Sequence, residues 1–412
     1  MKSLLIALAL CCSAWGQQFS HIIFIVQENR TPDNLFAGCT IPGADVVKPG
    51  ASEPLYFGYQ PSHTHADYLA QAAGNWTKSQ KRYVRATDIQ PYCTLATQYG
   101  FANRMFQTNQ GSSMPAHLFI FTATSAPSAP GEQYSNYFVA ENNGGGSGTN
   151  VGGCNQTGLT KNYAPLIDPS GNESVSVLSC FDHATLTDLM DAAGLSWKYY
   201  AVNSGILWNT PQAIAHICGA VGKNCEGQDW LRSEVLNPPQ VLTDIADGQL
   251  ANVSWVTPAA SYSDHPADGG GGPSWVASIV NAIGQSAYWQ NTAIVVTWDD
   301  WGGWYDHVPP LPNTTGWCPV YCYGFRVPLL VISPFTPPIA DNQPHDFGSM
   351  VRFVETNFNL PLVGDGTYAD AYADNLGDFF TLNTPRQFVV VPAKYKKSYF
   401  LNLKDRGKPD TD

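Results

Sequence analysis

Two adjacent carboxylates, Asp299 and Asp300, stand where a short apolar run, Ile294 to Trp298, gives way to Gly302 and Gly303. Asp306 and His307 follow within the same turn, before Pro309 and Pro310 close it. Glu28 and Asn29 stand in the same relation to a second apolar run, His21 to Gln27. Three carboxylates and an amide offer only oxygen ligands, a set that suits hard or borderline divalent cations such as Ca, Mg, Mn or Zn. A cation beside Asp299 and Asp300 would also offset their mutual repulsion, which otherwise drives one pKa upward. An acid pair after a strand also forms turns and caps. Oxygen donors recurring after a second strand, Glu28 and Asn29, point instead to a ligand site.

Ser113 is the candidate nucleophile. Gly111-Ser112-Ser113-Met114-Pro115 leads into the apolar stretch Ala116 to Ala126, the pattern of a loop feeding a helix amino terminus. Unpaired N–H groups there favour an anion, and a neighbouring cation lowers a hydroxyl pKa, so no histidine base is obligatory. A serine in this place also serves as a plain N-cap. The G-x-S-x-G elbow of serine carboxylesterases is absent around Ser113. His265, within Ser263-Asp264-His265-Pro266, and His307 could each protonate a leaving group, ligate a metal or stabilise a phosphoryl group. Asp264 would cap the turn or orient His265. His345, ahead of Asp346 at a helix start, is a further candidate, and Arg30 would contact a substrate anion or pair with Asp33.

The elements that must position these groups alternate. Strands are expected at His21–Gln27, at 197–202, at 253–257, at 294–298 and at 327–333, because short β-branched and aromatic runs end there in polar residues. Helices are expected between Tyr83 and Arg104, after Pro115, and at about 184–193, 274–285 and 345–357. Residues 40–80, rich in Gly, Pro, Ser and His without a clear period, read as surface loop. The segment 143–157 reads as low-complexity loop, and the basic tail after Pro392 as frayed. Strands alternating with helices predict an α/β sandwich with a mainly parallel sheet and long loop insertions. No internal repeat or composition break divides the chain, so one domain is expected over 17–412.

Residues 1–16, MKSLLIALALCCSAWG, read as a secretory signal peptide, too short to span a bilayer. Eight cysteines follow it, an even number that favours four disulfides in an exported chain. Cys218 with Cys225 and Cys318 with Cys322 are the local pairs. With a net charge of -12 the protein would repel nucleic acid and anionic membrane, and no later stretch is long enough for stable membrane insertion. A secreted or periplasmic location follows.

Six blocks carry a resemblance: IVQENRTPDNLFAG, SSMPAH, SDHP, TWDDWGGWYDHVPP, YGFRVPLLVISPF and HDFGSMVRFVETNFNLP. Together, in this order, they resemble the phosphoesterase family of bacterial phospholipases C and AcpA-type acid phosphatases, over about residues 21–380. The resemblance implies an alkaline phosphatase-like fold, a three-layer α/β/α sandwich. It also implies roles: Glu28 and Asn29 at a metal with the carboxylate pair Asp299 and Asp300, Ser113 as nucleophile, and His265 and His307 as active-site histidines. The sequence departs from the family pattern at Thr31-Pro32, at Ser112 and at Trp301, the last of which could reshape the substrate mouth.

The sequence therefore predicts an exported, metal-assisted phosphoesterase. It would use a divalent cation of unspecified identity on a small phosphate ester or a phospholipid, through a phosphoseryl intermediate. The competing expectation is a secreted, calcium-stabilised carbohydrate- or surface-binding protein, which the high Trp, Tyr, Asn and Gly content would suit.

Overall fold

The computed structural model describes residues 18–143, 153–156, 162–202, 209–312, 318 and 320–403. Eight strands form its central sheet: β1 (His21–Gln27), β2 (Gly100–Ala102), β3 (Trp197–Tyr200), β4 (Glu234–Val235), β5 (Val253–Val256), β6 (Thr292–Trp298), β7 (Leu329–Ile332) and β8 (Ile339–Asp341). They lie side by side as β4-β3-β5-β1-β6-β7-β2-β8. Only β7 runs against its neighbours; every other pairing is parallel. The principal helices are α1 (Pro32–Phe36), α2 (His65–Ala72), α3 (Gln90–Gln98), α4 (Ser113–Thr122), α5 (Leu186–Ala192), α6 (Gln240–Ala246), α7 (Gly272–Gly284), α8 (Phe347–Phe358) and α9 (Lys397–Asn402).

Helices cover both faces. Phe24 of β1 is in register with Trp255 of β5 and Val295 of β6, so the three share a face. Phe121 of α4 packs edge-on against Trp255 there, at 5.0 Å. Trp298 points to the other face, where Tyr92 of α3 meets it at 5.2 Å. Helices α3, α6 and α9 pack against α7, whereas α8 packs against α4. Burial on both faces is why β1 and β6 read as unbroken apolar runs rather than alternating ones. The expected mixed α/β fold with a mainly parallel sheet is the observed one.

The differences lie in the insertions. Residues 40–80 hold α2, started by a reciprocal cap between Thr64 and Asp67, and a short parallel pair joins Ala51–Glu53 to Arg82–Val84. The tail is not frayed up to residue 403: α9 docks through Phe400, fully buried 5.2 Å from Trp275. Most of the 143–157 stretch and residues 1–17 lie outside the described residues. Four disulfides form, Cys39–Cys93, Cys154–Cys180, Cys218–Cys225 and Cys318–Cys322, which include both expected local pairs.

His345 proves to be a fastener. Its buried ring lies between Asp341 and Asp374, 2.9 Å from each, tying β8 to the segment beyond α8. Burial alone would lower its pKa, but the hydrogen bonds to the two aspartates outweigh it and carry it up to about 9. A folded-state pKa above the ordinary histidine value stabilises fully below about pH 6.5 and fades as pH rises through about 9. His345→Gln should therefore lose about 2–3 kcal/mol of stability near pH 6. That deficit should shrink above about pH 9, as read by urea unfolding at the two pH values.

Candidate active site

Parallel pairing decides where the acidic residues meet. Gln27 lies beside Trp298, so the residues after β1 and β6 leave the sheet together at its carboxyl edge. That edge is where open α/β sheets hold ligands. The Asp299 N–H donates to Gln27 O and the Arg30 N–H to Asp300 O, both at 3.0 Å, which joins the two exit loops. Asn29 takes a left-handed backbone, φ 60°, which Asn tolerates better than most residues. Its N–H donates to Asp299 Oδ1 at 3.0 Å. Gly302, at φ 59°, lies so close that a Cβ would sit 2.5 Å from Asn29 O, so glycine is needed for both the turn and the contact.

Ser113 reaches the same edge from the far side of the sheet, because β2 is parallel to the main direction and the chain passes from its end through 103–112 into α4. Its hydroxyl donates to Asp300 Oδ2 at 2.9 Å. Ser112, not Ser113, is the N-cap residue of α4, and its hydroxyl is turned to Glu141 at 3.0 Å. The plain capping role considered for Ser113 is thereby removed.

Two histidines that the sequence reading did not single out join this group. His63 Nε2 lies 3.1 Å from Asn29 Nδ2 and 3.9 Å from Asp300 Oδ2, while its Nδ1 faces Pro61 O at 3.1 Å. A proton on Nδ1 donates to Pro61 and leaves Nε2 to accept from the Asn29 amide. His117, one turn along α4 from Ser113, brings Nε2 to 3.5 Å from Asp299 Oδ2. The signal for His117 was its i, i+4 spacing from Ser113. His63 sits in a stretch with no periodicity, and only its pairing with His65 in His63-Thr64-His65 marked it.

The donor types, carboxylate and amide oxygens, suit a divalent cation. Asn29 Oδ1 and Asp299 Oδ2 are buried and accept no hydrogen bond, an arrangement that costs about 1–3 kcal/mol per group unless something positive satisfies it. Glu28, next along the chain, is buried as well. Burial first, and the charge of Asp299 second, push Asp300 up to about 7. Arg30 is not the missing counter-charge. Its buried guanidinium donates to Asp264 O (Nε 2.9 Å, Nη2 2.7 Å), Asn34 Oδ1 (3.0 Å) and Leu55 O (3.1 Å). Neither an anion contact nor a pair with Asp33 is its role; it fixes the loop that carries His265.

His265 is brought to the same edge. Asp264 N–H donates to the Gln27 side chain at 3.0 Å, which ties the exit of β5 to the last residue of β1. The His265 ring is buried, with Nδ1 2.9 Å from Pro266 O. Asp264 does not contact the His265 ring; its carboxylate accepts from Tyr92 O–H (2.7 Å) and the Trp298 indole (3.1 Å), on the opposite face of the sheet.

His307 goes elsewhere. Its Nδ1 lies 2.9 Å from Asp33 and its Nε2 3.1 Å from Asp45, so both ring nitrogens are engaged outside the Ser113 cluster. Gly302 and Gly303, both with positive φ, turn the chain away after Asp300. Asp33, Asp306 and His307 place ligand atoms within 4.8 Å of one another, a spacing a metal could use. The buried guanidinium of Arg326 already lies there, 2.9 Å from Asp306 and 3.5 Å from Asp33, so the positive charge is supplied by the chain itself. Trp301 does not reshape a mouth either. It is fully buried, donates to Gln71 at 2.6 Å and packs edge-on behind His63.

Fold and site together define an α/β protein with a buried cluster of carboxylates at the carboxyl edge of its sheet and a serine hydroxyl bonded to it. The chain matches the Phosphoesterase family over residues 56–361 and belongs to that family. Phospholipase C A of Mycobacterium tuberculosis (strain CDC 1551 / Oshkosh) is 26% identical over 254 residues, covering 53% of this chain and 49% of the relative. The hemolytic phospholipase C of Pseudomonas aeruginosa is 23% identical over 453 residues, with 91% and 58% covered. Non-specific phospholipase C4 of Arabidopsis thaliana is 27% identical over 361 residues, with 79% and 56% covered. The chain thus spans about half the length of the curated relatives it matches. A solved protein of the alkaline phosphatase superfamily from Vibrio parahaemolyticus superposes with a TM-score of 0.43 and 11% identity, over 87% of this chain and 70% of that one.

Proposed function

We propose that this protein is an exported phosphoesterase that cleaves phosphate esters through a phosphoseryl intermediate, with residues 17–412 acting as one catalytic unit. The observation that carries the reading is the 2.9 Å bond from Ser113 Oγ to Asp300 Oδ2, at the edge where β1 and β6 deliver their carboxylates. Glu28, Asn29, Asp299 and Asp300 would hold a divalent cation, which supplies a lowered hydroxyl pKa and neutralises charge on the phosphoryl oxygens. Ser113 passes its proton toward Asp300 as Oγ bonds to phosphorus, and the ester P–O bond breaks on the opposite side. His265 protonates the departing oxygen. Water, giving a proton to His265, then attacks the phosphoserine, the P–Oγ bond breaks, and the proton held at Asp300 returns to Ser113 Oγ. His63, bonded to Asn29 and close to Asp300, holds the amide oriented. His307 belongs to the ion network with Asp33 and Arg326, which ties the loop after β6 to the segment after β1.

The phospholipase C names of the relatives make phospholipids candidate substrates beside small phosphate esters. The disulfides support an oxidising, extracytoplasmic setting. Among the described residues no helix is long and apolar enough to cross a membrane.

Chelation separates this reading from the binding-protein alternative. Stripping divalent cations should abolish turnover of p-nitrophenyl phosphate and bis(p-nitrophenyl) phosphate while the near-UV circular dichroism spectrum is kept, and adding metal back should restore turnover. Unfolding with no turnover at any stage would favour a calcium-stabilised binding protein.

A further inference from the structure

The C-terminal segment opposes the charge of the rest of the chain. The protein carries -12 overall, yet between Asp378 and Asp405 there is no acidic residue, and Lys394, Lys396 and Lys397 lie close together. Helix α9 is anchored by Phe400, buried 5.2 Å from Trp275 and 5.7 Å from Tyr262. Its neighbours must therefore face out: Tyr399 is 40% and Leu401 43% exposed. Tyr395 stacks on Tyr399 at 4.3 Å, and the Lys394 ammonium lies 4.9 Å over the Tyr395 ring. The result is a surface of ammonium heads set among tyrosine and leucine.

Its location matters as much as its composition. The Tyr395 N–H donates to Ser274 Oγ at 3.2 Å, in the first turn of α7. That helix begins just after the loop bearing His265 and returns the chain to the start of β6. Its amino end, and the lysines beside it, therefore sit at the carboxyl edge of the sheet, where the active site is.

We infer that this surface docks the protein onto an anionic lipid bilayer. Lysine heads near such a surface each strengthen binding about fivefold. Their stems and the tyrosine and leucine side chains suit the headgroup boundary, where amphipathic side chains keep a polar tip in water. Beyond about 8–10 Å charges are screened, so the local cluster, not the net charge, governs contact with a membrane. The expected repulsion from anionic membrane is thus reversed at this face. Docking is independent of the catalytic reading and is tested without turnover.

The experiment is flotation of the full protein with vesicles of phosphatidylcholine alone or mixed with phosphatidylglycerol, at low and high salt. Binding is expected only to the mixed vesicles and should weaken with salt. Lys394→Gln, Lys396→Gln and Lys397→Gln combined should weaken it roughly a hundredfold, and Tyr399→Ser with Leu401→Ser about tenfold. An unchanged melting curve for each variant, and unchanged turnover of a soluble ester where the wild type shows it, certify the fold. Equal binding to both vesicle types, no binding at all, or undiminished binding by the triple variant would overturn the proposal. So would equally tight binding to a soluble polyanion such as polyphosphate, because that would show attraction to charge without a lipid surface.

Discussion

Ser113→Ala is expected to reduce turnover of p-nitrophenyl phosphate and bis(p-nitrophenyl) phosphate alike, by about 10⁴-fold or more, the scale seen when a covalent nucleophile is removed. Both esters should fall together because the same oxygen attacks phosphorus in each. Stability should change little. The hydroxyl makes one buried hydrogen bond, to Asp300, and such a bond contributes about 1 kcal/mol net. Bound metal should persist, since Glu28, Asn29, Asp299 and Asp300 remain. Ser113→Thr keeps a hydroxyl and should keep measurable turnover. If the alanine variant still cleaves either ester at near the wild-type rate, Ser113 is not the nucleophile and the phosphoseryl pathway is wrong.

Asp299→Asn separates two effects that usually travel together. The amide keeps the shape of the aspartate, and its oxygen can still accept the N–H groups of Asn29 (3.0 Å) and Asp300 (2.7 Å). What it loses is charge. Metal affinity should drop by at least about 100-fold, beyond the 10–100-fold typical of residues that only support a ligand, and turnover should fall with it. The stripped variant should nonetheless be more stable than the stripped wild type by about 1–3 kcal/mol, because one of two adjacent buried carboxylates no longer repels the other. Metal analysis and urea unfolding of both apo proteins read the two quantities. Unchanged metal content would remove Asp299 from the ligand set. A less stable apo variant would mean that the pair is not held under repulsion.

At this site stability and function oppose each other. Asp300 is raised toward neutrality by burial and by Asp299, and the open acceptors on Asn29 and Asp299 are a standing cost in the protein alone. On the proposed reading, that cost is relieved when a cation and an anionic ester bind.

Much of this was legible in the chain. Strands buried on both faces must be continuously apolar, so β1, β5, β6 and β7 could be read directly, along with the acids and amides that follow them. The helix beginning at Ser113 was legible because Gly, Ser and Pro announce a start in one short stretch. What the sequence alone could not settle was direction and company. His307 is close to Asp300 in sequence, but two glycines with positive φ carry it to Asp33. His63 is remote in sequence, in a segment without periodicity, and meets Asn29 from a loop that packs edge-on against Trp301. Arg30 follows directly on two proposed ligands, yet its guanidinium turns to the Asp264 carbonyl. Local sequence determines which elements form and what they carry, since propensity and burial act over a few residues. Which side chains share a pocket depends on strand register and loop turning between segments far apart in the chain, and only tertiary packing fixes those.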